Sequence, residues 1–591
     1  MYMQFSKVCL YFNKLEDTSS RLSMTSILSE LFLDAEPDEL SKLIYFCQGK
    51  VGPKYKGLEV NIGEATIVSL VARYLGQSES KIKEDLLQVG DLGLIIERTP
   101  LAKQQKTLFS KELSFLDVYE TFEKIAEISG KGTIEKKLKL FESILFNVSQ
   151  REAKYVVKFP ISFRLGFSDS TIIDALALLD SSIEQKIAKE IITSKYNQVS
   201  DLGYIAGIIK ISGIKGLTKV TITPGIPIKP SLCERASGFS EIIERLGRNK
   251  TKEVIKFGVD SKIDGFRQQI HKFGTVVKIF SRNEEDMTSM FPDIVTEIKK
   301  IKGDFIIDSE SIAFDEVNKK YYSFQITIQR KRKYDIDQKA KELPLHLKVF
   351  DVLYLDGKEM LDVPFRERRK IIEDRFNFPP IIRPTELIIT DNEEELTSFF
   401  NSRIEENLEG IIAKDLSSKY IAGGRGFSWI KFKKSYLGTV DTIDAVILGV
   451  FYGQGKRSDK GLGALLVGIY SPETGKYYTL AKVGTGLSDE LLLELGRELS
   501  DLRVEKRPEE IDTKIEPDYY VIPKIIIEIN YDEITESEMH TCCFNRTKET
   551  GLALRFPRLV KVRSDKEDQD TTTEYEIRRM FELQGKIKEK E

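Results

Sequence analysis

Asp260-Ser261-Lys262-Ile263-Asp264-Gly265-Phe266-Arg267 ends one run of β-type residues and leads into another, with Phe273-Gly274 marking a hairpin turn beyond it. A lysine at the end of such a run is predicted to project from a rigid sheet into a cleft. Lysine becomes a covalent nucleophile once its ammonium is deprotonated, which desolvation or neighbouring cations promote. Asp264 and Arg267 lie close enough in sequence to orient it and a phosphate. Taken alone, the string equally suits a hairpin carrying a solvated lysine.

Outward from this segment, Val254 to Ser261, Val276 to Phe280, Phe305 to Asp308 and Leu345 to Leu355 read as short strands. Their alternation and β-branched content predict an antiparallel α+β domain. Upstream, Thr223-Pro224-Gly225-Ile226-Pro227-Ile228-Lys229-Pro230 marks a boundary, because its prolines lack the N–H groups that a helix or central strand needs. Before that boundary the texture is helical. Apolar residues recur at helical spacing in Ser26 to Phe32, Glu64 to Ala72, Asp117 to Ile128, Ile134 to Leu145 and Ile172 to Leu179. After Tyr436 a second β-rich region follows, with Ala445 to Val450, Ala464 to Tyr470 and Ile525 to Ile529, and a charged helical tail from about Glu574. A small barrel suits these runs. The expected division is 1–222, 223–437 and 438–591.

Composition narrows the functional classes. With 591 residues and 41% hydrophobic content the chain can bury several cores. Charged residues make up 31% of it but nearly cancel, to a net charge of -3, so contact with a polyanion must come from local basic patches. No apolar run reaches membrane-spanning length, and Met1 to Lys7 lacks the pattern of a secretory signal, so an intracellular location is expected. The five cysteines, Cys9, Cys47, Cys233, Cys542 and Cys543, show no CxxC spacing, which disfavours a disulfide framework or a structural zinc site. No GxxxxGK[ST] loop is present, and Gly484-Thr485-Gly486 reads as a turn.

The Lys262 string is followed in order by Ser281-Arg282-Asn283, Asp308-Ser309-Glu310, Phe350-Asp351, Glu409-Gly410-Ile411-Ile412-Ala413-Lys414 and Trp429-Ile430-Lys431-Phe432-Lys433. Together these resemble the nucleotidyltransferase motifs of ATP-dependent DNA ligases. The resemblance extends over nearly the whole chain. Gly90-Asp91-Leu92-Gly93 and Phe163-Arg164-Leu165-Gly166 look like the DNA-binding domain of the archaeal and eukaryotic replicative members, and Leu554-Arg555-Phe556-Pro557-Arg558 with Arg563-Ser564-Asp565-Lys566 like the last ligase motif.

The resemblance implies a multidomain α and α+β fold: an all-helical DNA-binding domain, an antiparallel α+β nucleotidyltransferase (adenylation) domain, and an OB-fold β-barrel domain with a C-terminal helix. It implies Lys262 as the adenylated nucleophile and an ATP site formed by Asp260, Lys262, Arg267, Arg282, Glu310, Phe350, Lys431 and Lys433. Arg267 and Arg282 would grip phosphate, Glu310 would meet the ribose, and Phe350 would stack on adenine. Glu310 and Glu409 would hold Mg²⁺, with Mn²⁺ as an alternative, and Arg555, Arg558 and Lys566 would approach the triphosphate. Lys431 and Lys433 alternate along a strand, so both reach one face, where they could neutralise charge building on the α-phosphate.

The implied partners are nicked double-stranded DNA and a sliding clamp, the latter docking on Gln105, Leu108 and Phe109, with the enzyme a monomer. Three departures from the family stand out: Asp260 where a glutamate is usual, Ser309 for a glycine beside the ribose-binding carboxylate, and Ser435 for an aspartate before Tyr436. An RNA ligase or capping-type guanylyltransferase, an NAD-dependent ligase and a non-catalytic DNA-binding scaffold are the competing readings.

Overall fold

The computed structural model describes residues 2–588 apart from 19, 90, 101–111, 131–132, 164, 237, 248–253, 333, 379, 434–441, 453–461 and 505. The clamp-binding segment expected at Gln105, Leu108 and Phe109 lies outside the described residues, as do Gly90, Arg164, Ser435 and Tyr436.

From Phe5–Glu16 to Leu202–Ser212 the chain is helical. Helix Phe115–Glu127 shows why: Ser114 and Asp117 close a capping box at its start. Its buried residues Phe115, Val118, Tyr119, Phe122 and Ile125 recur every three to four positions and so form one stripe. These stripes meet at Phe46, which packs at 4.2 Å on Phe159 and contacts Phe5, Phe12, Phe115, Phe122 and Phe163. Each such ring contributes roughly 1.5–3 kcal/mol of burial energy. No helix among the described residues is long and apolar enough to cross a membrane.

The middle of the chain forms two sheets. One orders Leu232–Arg235, Arg425–Lys433, Gly410–Lys414, Phe257–Lys262 and Leu387–Thr390 side by side. The other is built around Val276–Ser281, Phe266–Phe273, Phe305–Asp315 and Leu345–Leu355. Phe257–Lys262 ends in the first sheet and Phe266–Phe273 begins in the second, so the segment Ile263 to Gly265 carries the chain from one wall of a cleft to the other. The hairpin turns at Gly274, with φ 55°. The antiparallel expectation for the middle domain needs correcting at two pairings, which are parallel: Leu232–Arg235 with Arg425–Lys433 and Leu345–Leu355 with Ile382–Pro384. In each case intervening elements return the chain to run in the same direction, an option that short-range patterning does not reveal.

The last third is an OB-like barrel. Thr442–Phe451 pairs with Ala464–Ser471 and with Ile526–Asn530, Ala464–Ser471 pairs with Lys476–Val483, and Ile526–Asn530 pairs with Arg558–Val562. A bridge between Thr485 and Arg558 joins the two ends. Gly484-Thr485-Gly486 therefore closes the barrel and is more than a turn. A Cβ on Gly486 would meet the Leu559 carbonyl oxygen at 2.2 Å. Cys542 and Cys543 are buried in this domain's core. Helix Glu574–Lys588 follows and lies against the middle domain through Arg579, which pairs with Glu241.

Candidate active site

Two rows of side chains cross three neighbouring strands of the Lys262 sheet. Gly410 lies opposite Lys262 on one side and Lys433 on the other; one step along, Ile412 lies between Asp260 and Lys431. Side chains alternate along a strand and directly paired residues share a face, so Asp260, Lys262, Lys431 and Lys433 emerge together. The residues between them, including Val259, Ile411, Ala413, Ile430 and Phe432, enter an apolar core with Ile242, Leu246 and Phe400. That buried face fixes the register, because a slip of one residue would drive lysines into the core and isoleucines into the cleft.

Gly410 lets the two lysines share this row. A Cβ there would meet the Phe432 carbonyl oxygen at 2.1 Å. Its neighbour Glu409 sets its carboxylate between the ammonium groups of Lys262 and Lys433 and pairs with both. Burial pushes this carboxyl up, but the two cations outweigh it and hold Glu409 well below the usual carboxylate range.

The crossing from Lys262 to the second sheet is equally tight. A Cβ on Gly265 would meet the Ser311 carbonyl oxygen at 2.1 Å, which explains the glycine of the motif. Beyond it Arg267 lies opposite Glu310. The Arg267 guanidinium donates to Asp308 Oδ2 at 2.5 Å, to the Tyr420 hydroxyl at 3.0 Å and to the Ser231 carbonyl at 2.9 Å, and stands 5.2 Å from the Phe350 ring. Arg267 is thus already anchored beside Phe350, and a phosphate would have to compete with Asp308 for it. Burial pushes the Glu310 carboxyl up to about 7; Lys262 and Arg267 oppose this shift, and the charge of Glu409 adds to it.

These residues line a cavity of about 310 Å³, within the usual range for a small-ligand site. Asp260, Phe350, Lys414 and Trp429 line it together with Arg282, Glu310, Lys431 and Lys433. The barrel domain supplies the opposing wall. Asp444 accepts hydrogen bonds from Arg563 Nη1 at 3.0 Å and Lys566 Nζ at 2.6 Å, and Arg563 also forks onto Asp565 at 2.7 and 2.8 Å. Burial pushes Lys566 down to about 8, with Asp444 opposing and Arg563 and Arg282 reinforcing the shift. Among the described residues, ion pairs bridge the walls from Arg282 to Asp570 at 3.5 Å and from Lys431 to Glu576 at 3.6 Å.

Of the terminal motif, the structure brings Lys566 into the cavity and leaves Arg555 and Arg558 outside it. These two flank a crossover at Phe556-Pro557, where Phe556 has φ 52°. They pair with Glu533 at 3.8 Å and Asp532 at 3.5 Å and are more than half exposed, at 55% and 57%. Sequence reasoning misses Arg563, Asp444, Asp570 and Glu576. For Arg563 the available signal is the alternating charge of Arg563-Ser564-Asp565-Lys566, and for Glu576 it is the capping-box spacing with Thr573; neither reveals the cavity, because the distant partners of Asp444, Asp570 and Glu576 lie more than 100 residues away.

Comparison with known proteins supplies three family matches: "DNA ligase N terminus" over residues 4–177, "ATP dependent DNA ligase domain" over 230–433 and "ATP dependent DNA ligase C terminal region" over 458–566. Relatives include a "Probable DNA ligase" of Dictyoglomus thermophilum, 39% identical over 594 residues and covering 100% of this chain and 99% of its own. A "Probable DNA ligase" of Dictyoglomus turgidum is 38% identical, and a "DNA ligase" of Hyperthermus butylicus 37%, with the same coverage of both chains.

Proposed function

The chain belongs to the ATP-dependent DNA ligase family, and from that premise we propose that Lys262 is the residue on which it carries AMP. Members of the family seal nicks through a lysyl-AMP enzyme and a DNA-adenylate. Here the Lys262 amine attacks the α-phosphate of ATP. An N–P bond forms, the P–O bond to pyrophosphate breaks, and the ammonium proton leaves to solvent. AMP then passes to the 5′-phosphate at a nick, and the 3′-hydroxyl displaces it.

The observation that carries this reading is the row Lys262, Gly410, Lys433 beside Asp260 and Lys431 on one sheet face. Phosphoryl and nucleotidyl transfer depend mainly on positioning and on cancelling negative charge. Lys433, Lys431 and Arg282 supply cations around the nucleophile, Phe350 supplies a face for the base, and Lys566 with Arg563 meets the pyrophosphate from the barrel side. Glu310 and Glu409 fit a hard divalent cation, Mg²⁺ or Mn²⁺, since a buried carboxyl such as Glu310 favours ionisation beside added positive charge. Among the described residues no three His, Cys, Asp or Glu gather into a closed cage. Magnesium typically keeps waters and phosphate oxygens in its shell and needs only one or two carboxylates. When bound, it would withdraw charge from the reacting phosphate.

Contacts to DNA are proposed to run mainly through its phosphates, because a nick occurs in any sequence and backbone contacts carry little sequence information. Intact-mass spectrometry with Mg²⁺ and ATP, GTP or NAD tests the function. An adduct of one AMP from ATP, discharged by nicked DNA with sealing, is expected. An adduct formed only from GTP or NAD, or none from any nucleotide, would reject the reading.

A further inference from the structure

A second cavity, of about 670 Å³, lies where the helical, middle and barrel domains meet, and it shares Asn283, Tyr470 and Lys566 with the active-site cavity. Its two sides carry opposite charge. The helical domain contributes Lys50 and Lys54, from the segment after helix Pro37–Cys47. Facing them, the middle domain contributes Glu284 and Glu285, and the barrel domain Glu510, Glu567 and Asp568. Lys524 and Lys566 interrupt this acidic side, and Lys566 is held by Asp444 at 2.6 Å. On the helical side Asp169 is the one acid among the described lining residues; it accepts from Gln48 Nε2 at 2.7 Å and from the Tyr196 hydroxyl at 2.6 Å.

The contacts that cross from the helical domain to the barrel run from cation to oxygen. Lys54 pairs with Glu567. Arg21, whose guanidinium is fixed by Asp174 at 2.6 Å, donates through Nη1 to the Glu473 carbonyl. Both cations thus end on barrel oxygens as they would on the phosphate oxygens of a duplex. Lys50 differs, for among the described residues nothing hydrogen-bonds or ion-pairs with its ammonium. Burial, with the charge of Lys54 behind it, pushes that ammonium down, so an arriving anion would relieve it. A duplex, whose major groove alone is about 12 Å wide, does not fit a space of this size. It reaches these cations only after the barrel has withdrawn.

We propose that Lys50, Lys54 and Arg21 form a docking face for the phosphate backbone of duplex DNA, and that Glu567 and the Glu473 carbonyl of the barrel occupy it in the free enzyme as stand-ins for phosphate. The acidic side is then a built-in competitor. DNA displaces it, and the apparent affinity is reduced by the fraction of enzyme in which the face is covered. The inference rests on the reading that this enzyme grips DNA through its phosphates.

The two sides of the cavity predict effects of opposite sign. Full-length wild type, Lys50→Met, Lys50→Arg and Glu567→Gln are titrated over a range of salt with a nicked duplex whose 3′ end is a dideoxynucleotide, so that no sealing follows, each with its Tm. Lys50→Met is expected to weaken binding about five- to tenfold and to lower the salt slope by about one phosphate contact. Lys50→Arg keeps the charge and should keep the affinity. Glu567→Gln is expected to tighten binding about two- to fivefold. A water-soluble carbodiimide, which joins a lysine to a carboxylate that it touches, should yield a Lys54–Glu567 cross-linked peptide from the free enzyme and lose it as nicked duplex is added. If Lys50→Met does not fold, Glu567→Gln and the cross-link decide the matter. A cross-link that persists at saturating duplex, or a Glu567→Gln enzyme that binds no more tightly than wild type, overturns the competition. Unchanged affinity and salt slope in folded Lys50→Met overturns the docking face. Either way, wild-type binding that weakens steeply with salt leaves the phosphate reading standing; binding indifferent to salt sinks that reading and the proposal with it.

Discussion

The two walls of the cleft are held in place by different forces. On the sheet wall, Lys262, Glu409, Lys431 and Lys433 are placed by strand register, with backbone hydrogen bonds on both sides of Gly410–Lys414 and an apolar core behind. On the barrel wall, Arg563, Lys566, Asp570 and Glu576 lie on the segment after Arg558–Val562 and at the start of the final helix. Side-chain ion pairs tie that wall to the rest of the molecule: Arg282 to Asp570, Lys431 to Glu576, Arg579 to Glu241 and Lys54 to Glu567. Register on a buried sheet does not yield to salt, whereas these partly buried ion pairs weaken with salt to the extent that water reaches them. The fixed wall therefore suits a nucleophile that must keep its place, and the ion-paired wall suits a part that engages for one step and lets go for another.

The largest expected effect comes from breaking the fixed wall at its nucleophile. Lys262→Ala should abolish sealing of a 5′-phosphorylated nick but still close a nick that already carries 5′-AMP, because the amine takes part only in the two transfers that precede closure. A gel assay on both substrates separates the two cases. Next is Gly410→Ala, whose Cβ would strike the Phe432 carbonyl; a loss of about 3 kcal/mol or more in a denaturant melt is expected, together with loss of the AMP adduct.

On the barrel wall, Asp444→Asn removes the carboxylate that Arg563 and Lys566 share. Adduct formation should slow by roughly 10- to 100-fold, while closure of the pre-adenylated nick changes little. Equal loss in both assays would show that the barrel wall is not reserved for the first step.

The pH profile sharpens the same contrast. Glu310, pushed up to about 7, acts without a metal as a carboxylate only above that pH, and Lys566, pushed down to about 8, acts as a cation only below it. The value of kcat/KM for adduct formation should therefore rise with pH over a range that lies below about 7 once Mg²⁺ is present, since added positive charge lowers the Glu310 carboxyl, and fall through about 8. Lys566→Arg, whose guanidinium stays charged, should remove the alkaline limb. The smallest effect is that of Glu576→Gln, which loosens the Lys431 contact. It should cost about 1–2 kcal/mol in stability, as for one charge-assisted contact of a buried group, and the small-angle scattering radius should increase at a lower salt concentration than in the wild type.

The fold class is readable from sequence because helical spacing and strand alternation are local. The lysine face is readable for the same reason: Lys431 and Lys433 are two apart, as are Asp260 and Lys262, and strand geometry does the rest. Barrel closure at Thr485 and Arg558 is not readable, since a single bridge 73 residues apart leaves no pattern. The same holds for Asp444, which meets Arg563 and Lys566 only once the barrel has closed. Arg555 and Arg558 show the converse: their motif is plain in sequence, yet the crossover at Phe556 turns them away from the cavity.

The most direct test of the account is to digest the AMP-labelled enzyme and locate the nucleotide by tandem mass spectrometry, since Lys262, Lys431 and Lys433 share one face. The account predicts AMP on the peptide containing Lys262, with Lys431 and Lys433 unmodified. AMP on Lys433 or Lys431 would contradict it and would make Lys262 one of the charge-neutralising residues instead.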